Sequence, residues 1–363
     1  MSLRVVIAED SRIFADVLID MLEAEPGIEI AAVTDNGADA VELCDELRPD
    51  IVLMDIHMPK MDGLSATEEI MARCPTPILV ITSDPHRDGV DLSFRALSAG
   101  ALDLMAKPSR IPFPEDEKEG LLRKIRLLSQ VPVVRHVRAR QRKRFQTPIA
   151  VDPSARAGES PPVDADFPAA LVGVVASTGG PRALATICTA LPRDFAGTLL
   201  IVQHITDGFS RHLARWLDKH SSLTVYEAED GQPLRAGHAV IAPTEKHLIV
   251  DGDLRIAVRD GPPIGGHRPS GDRLLTSLAR HASSRAVGLV LSGMGDDGSA
   301  GLTALHQTGC PTIAQDEDSS VVFGMPRAAI VRGIVDQVLN DSQIAPALLE
   351  LVEQMAGAAW EGR

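Results

Sequence analysis

The chain has 363 residues, which suggests two domains rather than one. Its 44% hydrophobic content is ample for packed cores, and its formal net charge of −14 argues against wholesale binding to nucleic acid. The cysteines Cys44, Cys74, Cys188 and Cys310 are scattered without metal-ligand spacing, and no apolar run approaches the ~20 residues of a membrane span, so a cytoplasmic chain with buried thiols and no signal peptide is expected.

From the N-terminus, apolar runs at 3–8, 28–33, 51–55, 77–82 and 101–106 alternate with helical patterns near 11–24, 37–47, 64–73, 87–98 and 115–129. That alternation predicts a doubly wound parallel sheet. The carboxyl ends of its strands carry chemistry. The first runs into Glu9-Asp10, the third into Asp55 ahead of Ile56-His57-Met58-Pro59, the fourth into Thr82-Ser83, and the fifth into Lys107-Pro108. Open α/β sheets place their sites at this edge. Clustered carboxylates repel one another unless a hard divalent cation neutralises them. Such a site can take a phosphoryl group onto Asp55.

This pattern resembles the receiver domain of two-component response regulators. The resemblance implies that Asp55 accepts the phosphoryl group and that Glu9, Asp10, Asp55 and the backbone carbonyl of His57 hold Mg²⁺. It also implies that Thr82 bonds the phosphoryl oxygens and that Lys107 pairs with them. Receivers usually carry an aromatic residue three before the lysine; here that position is Leu104.

From about 130 to 167 the periodicity fails. A basic run, Arg135 to Arg144, is followed by a stretch punctuated by Pro148, Pro153, Pro161, Pro162 and Pro168. This reads as an interdomain linker. The basic run fits a solvated face docking on an acidic domain better than a nucleic-acid or lipid contact.

Parallel-strand signals resume at 171–176, 198–203 and 286–291, with helical segments near 180–190, 208–219, 271–282, 298–308 and 341–357. Between about 224 and 257, short alternating runs with Asp230-Gly231, Arg235-Ala236-Gly237 and Asp251-Gly252-Asp253 turns suggest a hairpin-rich insertion. The first of these strands ends at Ser177-Thr178-Gly179-Gly180-Pro181, the second at Gln203-His204, and the third at Ser292-Gly293-Met294-Gly295-Asp296-Asp297-Gly298. Serine, histidine and aspartate thus meet at one sheet edge. A serine hydroxyl needs a base to become a nucleophile, a histidine can be that base, and a carboxylate fixes its tautomer. The glycine turn could instead bind phosphate, and an Asp-Asp-Gly could merely cap a helix. Spacing alone leaves a serine hydrolase and a nucleotide-binding domain both open, and the Gly-x-Ser-x-Gly elbow is absent.

Ala176-Ser177-Thr178-Gly179-Gly180, Gln203-His204, His267-Arg268-Pro269-Ser270 and Leu291 to Gly298 together resemble the CheB family of chemotaxis methylesterases, which also begin with a receiver. The resemblance implies Ser177 as nucleophile, His204 as base and Asp297 as orienting acid, with Thr178 and the Met294 N–H near the oxyanion. The role of the His267 segment is left open, with Ser270 as a helix N-cap the plainer reading. The implied organisation is a flavodoxin-like receiver at 1–130, a linker at 131–167, and a Rossmann-like α/β methylesterase domain with a β-hairpin insertion at 168–360. The implied activity is hydrolysis of glutamate methyl esters on chemoreceptors, with glutamine deamidation beside it. A chemotaxis histidine kinase is the implied phosphodonor, and Mg²⁺ serves the receiver alone. A receptor-binding signalling protein without catalysis is the rival.

Overall fold

The computed structural model describes residues 2–82, 90–108, 110, 113–133 and 167–361. Residues 134–166 of the expected linker, the basic run among them, lie outside the described residues. The chain divides into two compact units.

The first sheet contains β1 (Leu3–Ala8), β2 (Ile28–Thr34), β3 (Ile51–Met54), β4 (Ile78–Thr82) and β5 (Asp103–Ala106), in the order β2-β1-β3-β4-β5. The β1–β2, β1–β3 and β3–β4 ladders are parallel. Helices α1 (Arg12–Glu23), α2 (Gly37–Leu47), α3 (Gly63–Arg73), α4 (Val90–Ala99) and α5 (Glu115–Leu128) alternate with the strands. Every residue of β3 and β4 is buried, which is why both read as unbroken apolar runs. Two helix starts are capped from within. Asn36 accepts the Asp39 N–H at 3.0 Å and Asp62 accepts the Ser65 N–H at 2.7 Å, each worth about 1 kcal/mol. The strand order reverses between β1 and β3, so a crevice opens at their carboxyl ends.

The second unit holds β6 (Ala170–Ala176), β7 (Gly197–Gln203), β8 (Thr224–Glu227), β9 (His238–Ile241), β10 (His247–Val250), β11 (Ile256–Arg259), β12 (Ala286–Val290), β13 (Thr312–Gln315) and β14 (Gln337–Leu339). Seven of these form a sheet in the order β14-β13-β12-β6-β7-β9-β8, with every ladder parallel. Its helices are α6 (Gly180–Ala190), α7 (Ser210–His220), α8 (Gly271–His281), α9 (Ser299–Gln307), α10 (Met325–Val331) and α11 (Asp341–Glu361). From β6 the chain builds outward through β7, then returns to β12 on the other side. The switch point therefore lies at β6. One buried cluster joins Val175 and Val290 of the sheet to Leu274, Leu275 and Leu278 of α8 and Leu302 and Leu305 of α9. Each such side chain contributes about 1.5–3 kcal/mol when fully buried.

Two parallel-sheet α/β domains are thus present, as the strand and helix pattern led us to expect. The 224–257 region departs in one respect. Only β10 and β11 form an antiparallel hairpin. β8 and β9 join the parallel sheet instead. The strands β13 and β14 and the helix α10 have no counterpart in the sequence reading.

All four cysteines are buried and unpaired with one another. Burial pushes the thiols of Cys44 and Cys188 up to about 12, and the neighbouring Cys74 adds to the effect at Cys44. We expect no reaction of the native protein with Ellman's reagent on the minute scale, and four thiols released on denaturation. A native thiol titrating at once would contradict this packing.

Candidate active site

β6 and β7 run in register, with Ala176 opposite Gln203. Ser177 and His204 are the next residues on each strand, so they leave the sheet side by side, about 5 Å apart at the backbone. The His204 N–H donates to the Ala176 carbonyl at 2.9 Å. Ser177 is held at its backbone from both sides. Its N–H donates to the Ser292 carbonyl at 3.0 Å, and its own carbonyl accepts from the Gly180 N–H and from Gln203 Nε2, each at 2.8 Å. Ser292 follows β12, so three strand ends converge on one residue. The approach is close: a Cβ on Gly293 would lie 2.8 Å from Ser177 Cβ and 2.2 Å from Met325 Sδ. Only glycine lets that loop lie against the serine. Thr178 is buried and its carbonyl accepts from Ser292 Oγ at 2.7 Å. Met294 follows Gly293 and is half-buried.

His204 Nε2 lies 2.8 Å from Asp297 Oδ2. The aspartate side chain is 2% exposed and the histidine side chain 12%, so the carboxylate is dry while the imidazole keeps a small exposed edge. Three further donors hold the acid, all from the start of α8. Ser270 Oγ and the Asp272 N–H reach Oδ1 at 3.0 Å each, and the Gly271 N–H reaches Oδ2 at 2.6 Å. Burial alone would raise this carboxyl. The bond and charge of His204 and the Gly271 and Asp272 N–H groups outweigh it and hold the pKa at about 2. Asp297 is therefore ionised at every working pH. With Nε2 facing the carboxylate, Nδ1 is the nitrogen left for a proton; it is buried and has no hydrogen-bond partner among the described residues. Asp296 takes no part, being exposed and paired with Arg332 at 2.9 Å.

The sequence reading left the 267–270 segment without a role. His267 stacks on His204, with ring centroids 4.1 Å apart and planes 7° from parallel. A tight turn presents it: Ile264 and His267 exchange both backbone hydrogen bonds across Gly265 and Gly266, whose φ values are +58° and +85°. That glycine pair was the available signal. Burial, then the His204 charge, push the His267 pKa down, which favours a neutral ring beside His204. The Gln203 bracket on Ser177 and the α8 donors to Asp297 were also unread.

At the first sheet's carboxyl edge, carboxylate oxygens of Glu9, Asp10 and Asp55 lie within 4.8 Å of one another. Glu9 and Asp55 are buried and Asp10 is exposed. Glu9 Oε1 accepts the Ser11 N–H at 3.0 Å and Asp55 Oδ1 accepts the Ile56 N–H at 2.7 Å. Three hard oxygen donors at this spacing suit a divalent cation. Thr82 ends β4 and is buried, Lys107 follows β5 and donates its N–H to the Thr82 carbonyl at 2.7 Å, and His57 is exposed beyond β3. Leu104 is buried within β5.

The two modules are a parallel sheet edged by carboxylates, as in a receiver, and a Rossmann-like all-parallel α/β domain whose sheet edge gathers a serine, a histidine and an aspartate. Family models agree: the response regulator receiver domain matches residues 5–112 and the CheB methylesterase matches residues 172–348. The protein-glutamate methylesterase/protein-glutamine glutaminase 2 of Anaeromyxobacter dehalogenans (strain 2CP-C) is 44% identical over 96% of this chain and 97% of its own. A namesake numbered 4, from Myxococcus xanthus (strain DK1622), is 39% identical over 95% of this chain and 96% of its own. The crystal structure of the Thermotoga maritima CheB methylesterase catalytic domain is 37% identical, covers 50% of this chain and 98% of that one, and gives a TM-score of 0.49. The chain belongs to the CheB family of protein-glutamate methylesterases/protein-glutamine glutaminases.

Proposed function

We propose that this protein is a phosphorylation-activated serine hydrolase that demethylates glutamate methyl esters, and deamidates glutamines, on chemoreceptors. The observation that carries this reading is the His204–Asp297 hydrogen bond at the sheet edge where Ser177 emerges. Ser177 Oγ attacks the ester carbonyl and its proton passes to His204 Nδ1. The oxyanion is met by Thr178, the Met294 N–H and the start of α6, whose dipole favours negative charge. His204 then protonates the departing oxygen, and methanol leaves. Water attacks the acyl-enzyme, gives its proton to His204, and frees a glutamate and Ser177. With glutamine the leaving group is ammonia. Throughout, the ionised Asp297 keeps a proton on Nε2, so Nδ1 remains the accepting nitrogen.

Residues 1–130 act as the receiver, 131–167 as the linker and 168–360 as the catalytic domain. Asp55 accepts a phosphoryl group from a chemotaxis-type histidine kinase, with Thr82 and Lys107 on its oxygens. Glu9, Asp10, Asp55 and the His57 carbonyl would hold Mg²⁺, which neutralises the charge gathered there. No described helix is long and apolar enough to cross a membrane, and we place the protein in the cytoplasm, where it meets the receptors' cytoplasmic helices.

The test is methanol release from methylated receptor membranes, with and without acetyl phosphate and Mg²⁺. We expect release to rise about 5- to 100-fold with the phosphodonor, the range of ordinary coupling energies, and the rise to vanish in Asp55→Asn. Release indifferent to the phosphodonor would reject the switch. No release from any methylated receptor would reject the hydrolase in favour of a binding module.

A further inference from the structure

Asp272 lies on the first turn of α8, and no step above uses it. Asp297 immediately precedes Gly298, the N-cap of α9. Gly298 has no side chain to offer its helix. Ser270, the N-cap of α8, makes no capping bond to its own helix and turns its hydroxyl to Asp297 instead. Each helix therefore begins with N–H groups that its own cap leaves unserved. Each takes a carboxylate from the other. Asp297 accepts the Gly271 and Asp272 N–H groups at the head of α8. Asp272 Oδ1 accepts the Gly301 N–H at 2.8 Å at the head of α9, and the Ala300 and Gly298 N–H groups also bear on it.

The two helix starts share a seat. A Cβ on Gly271 would lie 2.2 Å from Val175 Cγ1, and one on Gly298 would lie 3.1 Å from Val175 Cγ2. Val175 is two residues before Ser177 on β6. The exchanged carboxylates thus tie both helices onto the strand that carries the nucleophile. The arrangement has a cost. Burial raises the Asp272 carboxyl, and so does the nearby Asp297 charge, against the pull of the α9 N–H groups. A cap alone does not require a second acid beside a buried one.

We infer that Asp272 is a positioning residue for the proposed hydrolysis: by holding the head of α9 it fixes the Asp297 carboxylate, and through it the His204 ring, against Ser177. This rests on the hydrolase reading above. Asp272 touches neither substrate nor reacting atoms.

The experiment compares full-length wild type, Asp272→Ala and Asp272→Asn, each activated with acetyl phosphate and Mg²⁺, by methanol release from methylated receptor membranes. Folded fraction is taken from circular dichroism. For Asp272→Ala we expect kcat per folded molecule to fall about 10- to 100-fold with KM within about twofold, the scale of a displaced catalytic group. The acid limb of its kcat/KM profile, which reports the base, should move. Asp272→Asn, which keeps one acceptor oxygen for the Gly301 N–H, should recover about tenfold of the loss. A capping role without positioning would lower the melting temperature and leave kcat per folded molecule and the acid limb in place; that result would overturn the inference. So would an asparagine variant no better than alanine. If wild type itself releases no methanol, the hydrolase reading fails and this inference falls with it.

Discussion

Ser177→Ala should lose about 10⁴- to 10⁶-fold in kcat for methanol release, the scale seen when a serine nucleophile is removed from such a triad. The serine's position is fixed by its backbone: the Ser292 carbonyl, the Gly180 N–H and Gln203 Nε2 all bond main-chain atoms of residue 177. Removing Oγ leaves those bonds and the Gly293 contact in place. The variant should therefore fold, with a stability change within about 1 kcal/mol. Melting temperature and activity together make the check. An alanine variant that keeps a tenth of wild-type turnover would show that Ser177 is not the nucleophile. One that fails to fold would be replaced by Ser177→Cys, which keeps a side chain at the same backbone position.

Asp297→Asn should cost about 10⁴-fold in kcat, as expected where a triad acid is neutralised and the wrong histidine tautomer results. A carboxamide in this site presents an NH₂ group among four donors: Ser270 Oγ, the Gly271 and Asp272 N–H groups, and His204 Nε2. Whichever way the amide turns, donor meets donor. If the amide takes a proton-accepting Nε2 as its partner, Nδ1 carries the proton and cannot receive one from Ser177. The contrast is Asp296→Asn. Its exposed pairing with Arg332 is worth at most about 1 kcal/mol, so its kcat should stay within about twofold. Steady-state methanol release by the two variants decides the assignment. Equal losses, or a larger loss at 296, would reverse the roles given to the neighbouring acids.

The first sheet's site was legible because each of its polar groups ends an apolar run, and a run that stops at Asp55 or Lys107 is visible without knowing any distance. The same holds for Ser177 and His204. By spacing alone Asp297 was one of two adjacent acids, and only the family resemblance singled it out. What separates it from Asp296 is the α8 head on one side and Arg332 on the other, and both come from elsewhere in the chain. The strands β8 and β9 read as hairpin members because turn residues report where a chain reverses, not which strand it pairs with. β9 pairs with β7, set by nonlocal register, and β8 then adds in parallel to β9 at the sheet's edge. β13 and β14 escaped notice for their brevity, four and three residues, the latter an edge strand largely open to solvent. The α8 donors were hidden by a conventional appearance: a serine before a helix reads as its own cap, and nothing local reveals that its hydroxyl serves another helix's aspartate.

The place of β6 in its sheet has a consequence for how the protein is made. One neighbour, β7, leaves the ribosome soon after it. The other, β12, begins at Ala286, more than a hundred residues later. Until then the strand that leads to Ser177, the proposed nucleophile, has an open flank, Ser177 lacks the Ser292 carbonyl that anchors it, and His204 lacks the Asp297 carboxylate. A nascent chain can therefore display serine and histidine with no competence to cleave an ester. On the proposed mechanism, hydrolytic power arrives only when the distant β12 segment slots in beside the strand.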